Sequence, residues 1–201
     1  MSRAQARDAG LSARQIDRLV ATREWLVALP GVYRLHASAP LPETGMWAAS
    51  LWLGPTMVLA DEGAAWWWGV LPDPPTTWAF IGPSRRRARP GVTLLDTRVD
   101  PADRWRHRGV PVLSRSWAVL RAAARREELQ TGSGIAVIDR AKQLRLVKQD
   151  DLGRAYERHR GCWGSTTMRQ LLARTGDGAH SELERLAVSE LYELTERFFD
   201  C

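Results

Sequence analysis

Lysine is almost missing from this chain. Lys142 and Lys148 are the only two, so arginine carries nearly all the positive side of a net charge of +6. Cysteine is as scarce. Cys162 and Cys201 form no disulfide framework and no Cys-x-x-Cys pair. His159 and Cys162 stand three apart, but no second ligand pair follows, which argues against zinc or another metal. The remaining histidines, His36, His107 and His180, sit in unlike contexts. There is no phosphate loop of the GxxxxGK[ST] type, no GxGxxG, no HExxH and no GxSxG. No catalytic residue is therefore named and no cofactor is expected. The longest apolar stretch, Met46 to Ala60, is broken by Gly54-Pro55 and is too short to span a bilayer. The N-terminal "MSRAQARDAG" has no apolar signal core. These absences lead us to expect a cytoplasmic, non-enzymatic protein that does not cross a membrane.

What is present is a core-forming composition, 44% hydrophobic over 201 residues. That is enough for one large domain or two small ones. An arginine-rich basic chain suits phosphate backbones. A coding bias toward arginine over lysine gives the same composition, so charge alone does not decide.

The pattern along the chain is more specific. Ser2 can cap a short helix over residues 2–9, which Gly10 ends in a left-handed turn. Ser12 and Gln15 then form a Ser-x-x-Gln capping box. Ile16, Leu19 and Val20 fall on one stripe of the helix that follows, and Arg14, Asp17 and Arg18 lie off it. "EWLVALPGVYRLHA" reads as two strands about Pro30-Gly31. Helices are expected from Glu43 to Leu53 and over "DEGAAWWWGV". "TWAFIG", "GVTLLDT" and "GVPVLS" read as strands. Beyond Ser114 the pattern is helical: Ser116 to Glu128, Ser133 to Gln143, Gln149 to Arg158, Thr166 to Thr175, and an acidic helix from about Glu182 to Phe199. The expected fold is α+β in three regions. These are a small winged helix-turn-helix over 1–40, a mixed region with a small β-sheet over 41–113, and a helical region over 114–201.

The order of these motifs resembles the AbiEi-type antitoxins, the winged-helix regulators of type IV AbiE toxin–antitoxin systems. The similarity is greatest to an actinobacterial branch fused to a very-short-patch-repair-like endonuclease. The residues that carry it are "AGLSARQIDRLV", "LPGVYRL", "VLADEGAAWWWGVLP", "SRRRARPGVTLLDTR", "RGVPVLSRSWAVLRAA" and "HSELERL". Relatives usually have a further helix ahead of the first one here, and Ser-His where this chain has Ala60-Asp61-Glu62. In the fused relatives the "SELERL" helix opens the nuclease domain. Its metal site does not follow here, so nuclease activity is not expected. The resemblance implies a DNA-binding regulator that represses its own promoter, partnered by a nucleotidyltransferase toxin of the AbiE type or by a second copy of itself.

In a helix-turn-helix the N-terminal part of the second helix meets base edges. The candidate DNA contacts are accordingly Ser12, Arg14, Gln15, Asp17 and Arg18. Arg14 and Arg18 are suited to guanine, and Asp17 either accepts from cytosine or orients Arg14. Arg34 is the wing candidate. Arg85, Arg86 and Arg87 open a second basic region, Ser84 to Val110, with eight arginines against three aspartates. A solvated helix face and a wet loop would use the same residues without any DNA. Trp66, Trp67 and Trp68 point about 100° apart on a helix, so one core cannot take all three. They are either a binding surface or packed from two sides. The alternative to a regulator is a non-catalytic scaffold, a shortened relative of the endonuclease fusions with a weak or lost DNA-binding end.

Overall fold

The computed structural model describes residues 1–39 and 41–176. The chain divides into two compact units, Met1–Ala118 and Val119–Cys201, the second described as far as Gly176. The class is α+β, as expected. The expected regions 1–40 and 41–113 lie together in the first unit.

That unit opens with α1 (Arg3–Asp8) and α2 (Ala13–Ala21), each started by a complete capping box. Ser12 Oγ accepts from the Gln15 amide at 3.2 Å, and Gln15 Oε1 accepts from the Ser12 amide at 2.8 Å. Ser2 and Gln5 repeat the arrangement. Between the helices Gly10 adopts φ +94°, a conformation that costs a side-chain-bearing residue but not glycine. The Leu11 amide then bonds back to the Ala6 carbonyl at 3.1 Å. The hairpin β1 (Trp25–Leu29) and β2 (Val32–Leu35) follows, paired Trp25 to Leu35 with an irregularity between Val27 and Leu29. Its turn has Pro30 and Gly31 in the centre, Gly31 at φ +72°, which fits a type II turn.

The start of the chain adds an edge to this hairpin. Ser2 bridges to Val32, with Tyr33 N donating to the Met1 carbonyl at 2.9 Å and Arg3 N to the Gly31 carbonyl at 2.8 Å. Nothing in the sequence pattern signals this isolated bridge. The small core is Ala6, Ile16 and Tyr33, with Leu11, Val20 and Trp25 packed on it. Ile16 is fully buried, as the stripe on α2 predicts.

After the hairpin, α3 (Pro42–Leu53) packs against β1 and β2. It therefore gives the small helix-turn-helix unit a backing helix from the C-terminal side. A five-stranded mixed sheet completes the unit. Its strands are β3 (Val58–Leu59), β4 (Trp78–Ile81), β5 (Val92–Leu95), β6 (Arg104–His107) and β7 (Val110–Leu113), in the order β5-β4-β3-β7-β6. The β4–β5 and β3–β7 pairs are parallel, and β3–β4 and β6–β7 are antiparallel. Neither β3 nor β6 is among the strands expected from the sequence. Within this unit α4 (Asp61–Trp67) packs on β4.

The three successive tryptophans pack among rings and sheet. Trp67 Nε1 donates to the His107 carbonyl at 2.9 Å, and Trp68 Nε1 donates to the Leu113 carbonyl at 2.8 Å. Trp66 is half-buried against Trp78, centroids 5.4 Å apart.

The boundary between the units falls within α5 (Arg115–Leu129). The second unit continues with α6 (Ser133–Gln143), α7 (Gln149–Arg158) and α8 (Ser165–Arg174). Leu120, Ile138, Leu152, Met168 and Leu171 are among its buried side chains. The acidic helix expected from about Glu182 lies outside the described residues.

Candidate nucleic-acid interface

The helix α2 is fixed from its buried side. Ile16 sits in the core, and Leu19 and Val20 are half-buried. The opposite side carries Ala13, Arg14, Asp17 and Arg18, all exposed. Arg14 and Arg18 are four residues apart and so lie one turn apart on one face. Among the described residues neither guanidinium is held in a hydrogen bond or ion pair. These two candidates present free, cationic forks on a helix that the fold holds still.

The other α2 candidates are already engaged. The Ser12 and Gln15 side-chain oxygens close the capping box. The Ser12 hydroxyl keeps its own proton to donate. Asp17 does not orient Arg14. Its Oδ1 accepts from Arg3 Nη1 at 2.9 Å, and the same nitrogen donates to the Tyr33 hydroxyl at 3.1 Å. The carboxylate of Asp17, followed by the Tyr33 hydroxyl, strengthens the hold of the Arg3 guanidinium on its proton. Arg3 thus links α1, α2 and β2 while offsetting the one acid on the exposed face of α2. Sequence alone does not mark Arg3, since only the fold brings it within reach of Asp17.

Arg34 is half-buried on β2. Its Nη1 donates to the Ser38 carbonyl at 3.0 Å and to the Leu35 carbonyl at 3.4 Å, which holds the chain as it leaves the hairpin. It also lines a cavity of about 420 Å³ between the hairpin and α3, together with Trp25, Tyr33, Glu43 and Trp47. Nη1 of the wing candidate Arg34 is thus engaged within the chain.

Arg85, Arg86 and Arg87 are exposed in the loop between β4 and β5. The Arg86 amide donates to Ser84 Oγ at 3.1 Å, and its guanidinium lies 5.2 Å from the centroid of the Trp52 ring. The structure brings this loop to the tip of the wing. Pro30, Trp52, Arg86, Arg87, Ala88, Arg89 and Pro90 line one groove of about 510 Å³. The basic loop thus shares a groove with Pro30 of the hairpin turn, far from it in sequence. Arg89 was legible as the last arginine of the run. Trp52, on α3, carried no signal.

Among the described residues no group of three or more His, Cys, Asp or Glu could hold a metal ion, and no helix is long and apolar enough to cross a membrane.

No protein-family model matches the chain, and no curated protein matches it. Among solved structures the chain is similar to the crystal structure of the RV2827C protein from Mycobacterium tuberculosis. The TM-score is 0.56 at 17% sequence identity, over 85% of this chain and 68% of that one. At that identity the likeness is one of fold.

Proposed function

We propose that this chain is a DNA-binding transcriptional regulator of the AbiEi antitoxin kind, acting in the cytoplasm on the promoter of its own operon. The observation that carries the reading is the pair of unpaired arginines, Arg14 and Arg18, on the exposed face of a firmly seated second helix that runs straight into a hairpin. In this reading α2 enters the major groove, and each arginine able to bridge a guanine adds about 1–3 kcal/mol of discrimination. The Arg85–Arg87 loop beside the wing turn supplies backbone contacts that fix register without reading sequence. A nucleotidyltransferase toxin and a second copy of the chain are the partners the resemblance implies.

A non-catalytic scaffold is the second reading. It is favoured by one observation: Ser12, Gln15, Asp17 and Arg34 all spend side-chain atoms on internal bonds.

Binding of the purified chain to its own upstream DNA and to a scrambled duplex, over a salt series, tests both. The regulator reading expects preference for the upstream DNA, steep weakening with salt, and loss of the preference in Arg14→Ala and Arg18→Ala. Equal binding to both duplexes that ignores these substitutions would support the scaffold.

A further inference from the structure

The groove at the wing tip differs from the rest of the basic surface. Its lining holds three guanidiniums within four residues, Arg86, Arg87 and Arg89, and not one carboxylate. The remaining wall is Pro30, Ala88 and Pro90, which present no competing donor side chain, and Trp52. Trp52 is only 4% exposed, and its indole Nε1 is buried with no hydrogen-bond acceptor among the described residues. A buried donor of this kind is nearly always paired in a folded protein. Here it belongs to the residue on whose ring Arg86 lies, and both residues line the groove.

We propose that this groove is a phosphate site, in which Arg86, Arg87 and Arg89 clamp the anion, with the Trp52 ring beneath Arg86 as its wall. Phosphate fits better than a carboxylate because its several oxygens can engage more than one guanidinium fork at once. The groove, at about 510 Å³, exceeds a single phosphate and leaves room for the sugar on either side. Pro30 and Pro90 are rigid apolar surfaces for such sugars. The source of the phosphate rests on the DNA-binding reading above: it is a backbone phosphodiester beside the wing. The site thereby fixes the wing on the duplex while α2 reads bases. A free phosphate ester offers the same chemistry, and the test separates the two.

The test uses the full chain labelled with nitrogen-15 and follows the tryptophan indole resonances. The Trp52 signal is assigned by its loss in Trp52→Phe. Four additions are made separately: a 20-base-pair duplex, inorganic phosphate, adenosine monophosphate, and sodium chloride at matched ionic strength. The expected result is that the duplex shifts the Trp52 indole and sodium chloride does not. Replacing Arg86, Arg87 and Arg89 together by glutamine should remove that shift and lower the salt slope of duplex binding by about 2–3. It should leave intact the preference for upstream DNA that depends on Arg14 and Arg18. A shift with adenosine monophosphate as large as with duplex would keep the phosphate site but assign it to a soluble ester. A shift with inorganic phosphate in a chain that binds no duplex would keep the site and sink the DNA reading. Duplex binding with an unmoved Trp52 indole, or an equal shift with sodium chloride, would overturn the phosphate site and leave the DNA reading to stand on α2 alone.

Discussion

Arg3 reaches Asp17 across the helix-turn-helix, Nη1 to Oδ1 at 2.9 Å, and so cancels the one negative charge on the exposed face of α2. Both side chains remain largely in water, 39% and 63% exposed, so the pair adds little to stability. Its consequence lies in the field that a duplex would meet. Arg3→Met leaves Asp17 uncompensated beside Arg14 and Arg18, and duplex binding is expected to weaken about two- to fivefold on any sequence. Asp17→Asn should strengthen it, and the double variant should return close to the parent. Fluorescence anisotropy at one fixed salt concentration checks the cycle. Unchanged binding in Arg3→Met would mean that Asp17 does not face the phosphates.

A second expectation concerns acid. The His107 imidazole is stacked on Trp68, centroids 4.1 Å apart and planes 19° apart, and meets the edge of Trp67. Burial, then Arg108 and Arg115, holds its pKa below the ordinary 6.5. The neutral ring is therefore the native form. As pH falls below 6.5 the unfolded chain takes up its proton before the folded chain does, so stability is full above that pH and declines beneath it. Thermal unfolding at pH 7.5 and pH 5.5 should show a larger loss for the parent than for His107→Gln. Equal losses in the two proteins would show that other groups carry the acid sensitivity.

These two predictions rest on parts of the molecule that the sequence discloses unequally. Capping boxes are local, so Ser12 and Gln15 announce α2 without help from the fold. The limits of α6 and α7, Ser133–Gln143 and Gln149–Arg158, are also those that helical patterning predicts, although neither N-cap side chain makes a capping bond. Strands that depend on distant partners are hidden. β3 is two residues inside an apolar run, defined by Phe80 and Ile81 on one side and Val112 on the other. β6 reads Arg-Trp-Arg-His, a charged segment that becomes a strand only against β7. The candidate interface divides in the same way. Arg14 and Arg18 follow from helical periodicity. The engagement of Arg34 by Ser38, the Arg3–Asp17 pair, and the assembly of Pro30, Trp52 and Arg86–Arg89 into one groove arise only when separate segments are brought together.

The last expectation belongs to the second unit, where one carboxylate starts a helix from a distance. The N-cap of α6, Gly132, at φ +87°, has no side chain with which to cap. Glu127 on α5 does this instead. Its two oxygens accept from the Gly132 amide at 2.9 Å, and Oε2 also accepts from the Gly134 amide at 2.9 Å. Gly134 permits that reach, because a Cβ there would lie 2.6 Å from the Ala123 carbonyl oxygen. The Gly132 amide, more than burial opposes it, holds the Glu127 carboxyl below the usual range, and the Gly134 amide and Arg174 act in the same direction. The folded state thus favours the ionised form. Its contribution is present above the unfolded carboxyl pKa of 4.5 and is lost as pH falls below it. Glu127→Ala strips the acceptor from both amides and should cost about 1–3 kcal/mol at neutral pH. Glu127→Gln keeps one acceptor oxygen and should cost less. Denaturant unfolding at pH 7 and at pH 3.5 measures both. The gap between Glu127→Gln and the parent should narrow at the lower pH, since below 4.5 the unfolded parent takes up a proton that the folded form resists. A gap of constant size would show that shape and packing at residue 127, not its charge, hold α6 in place.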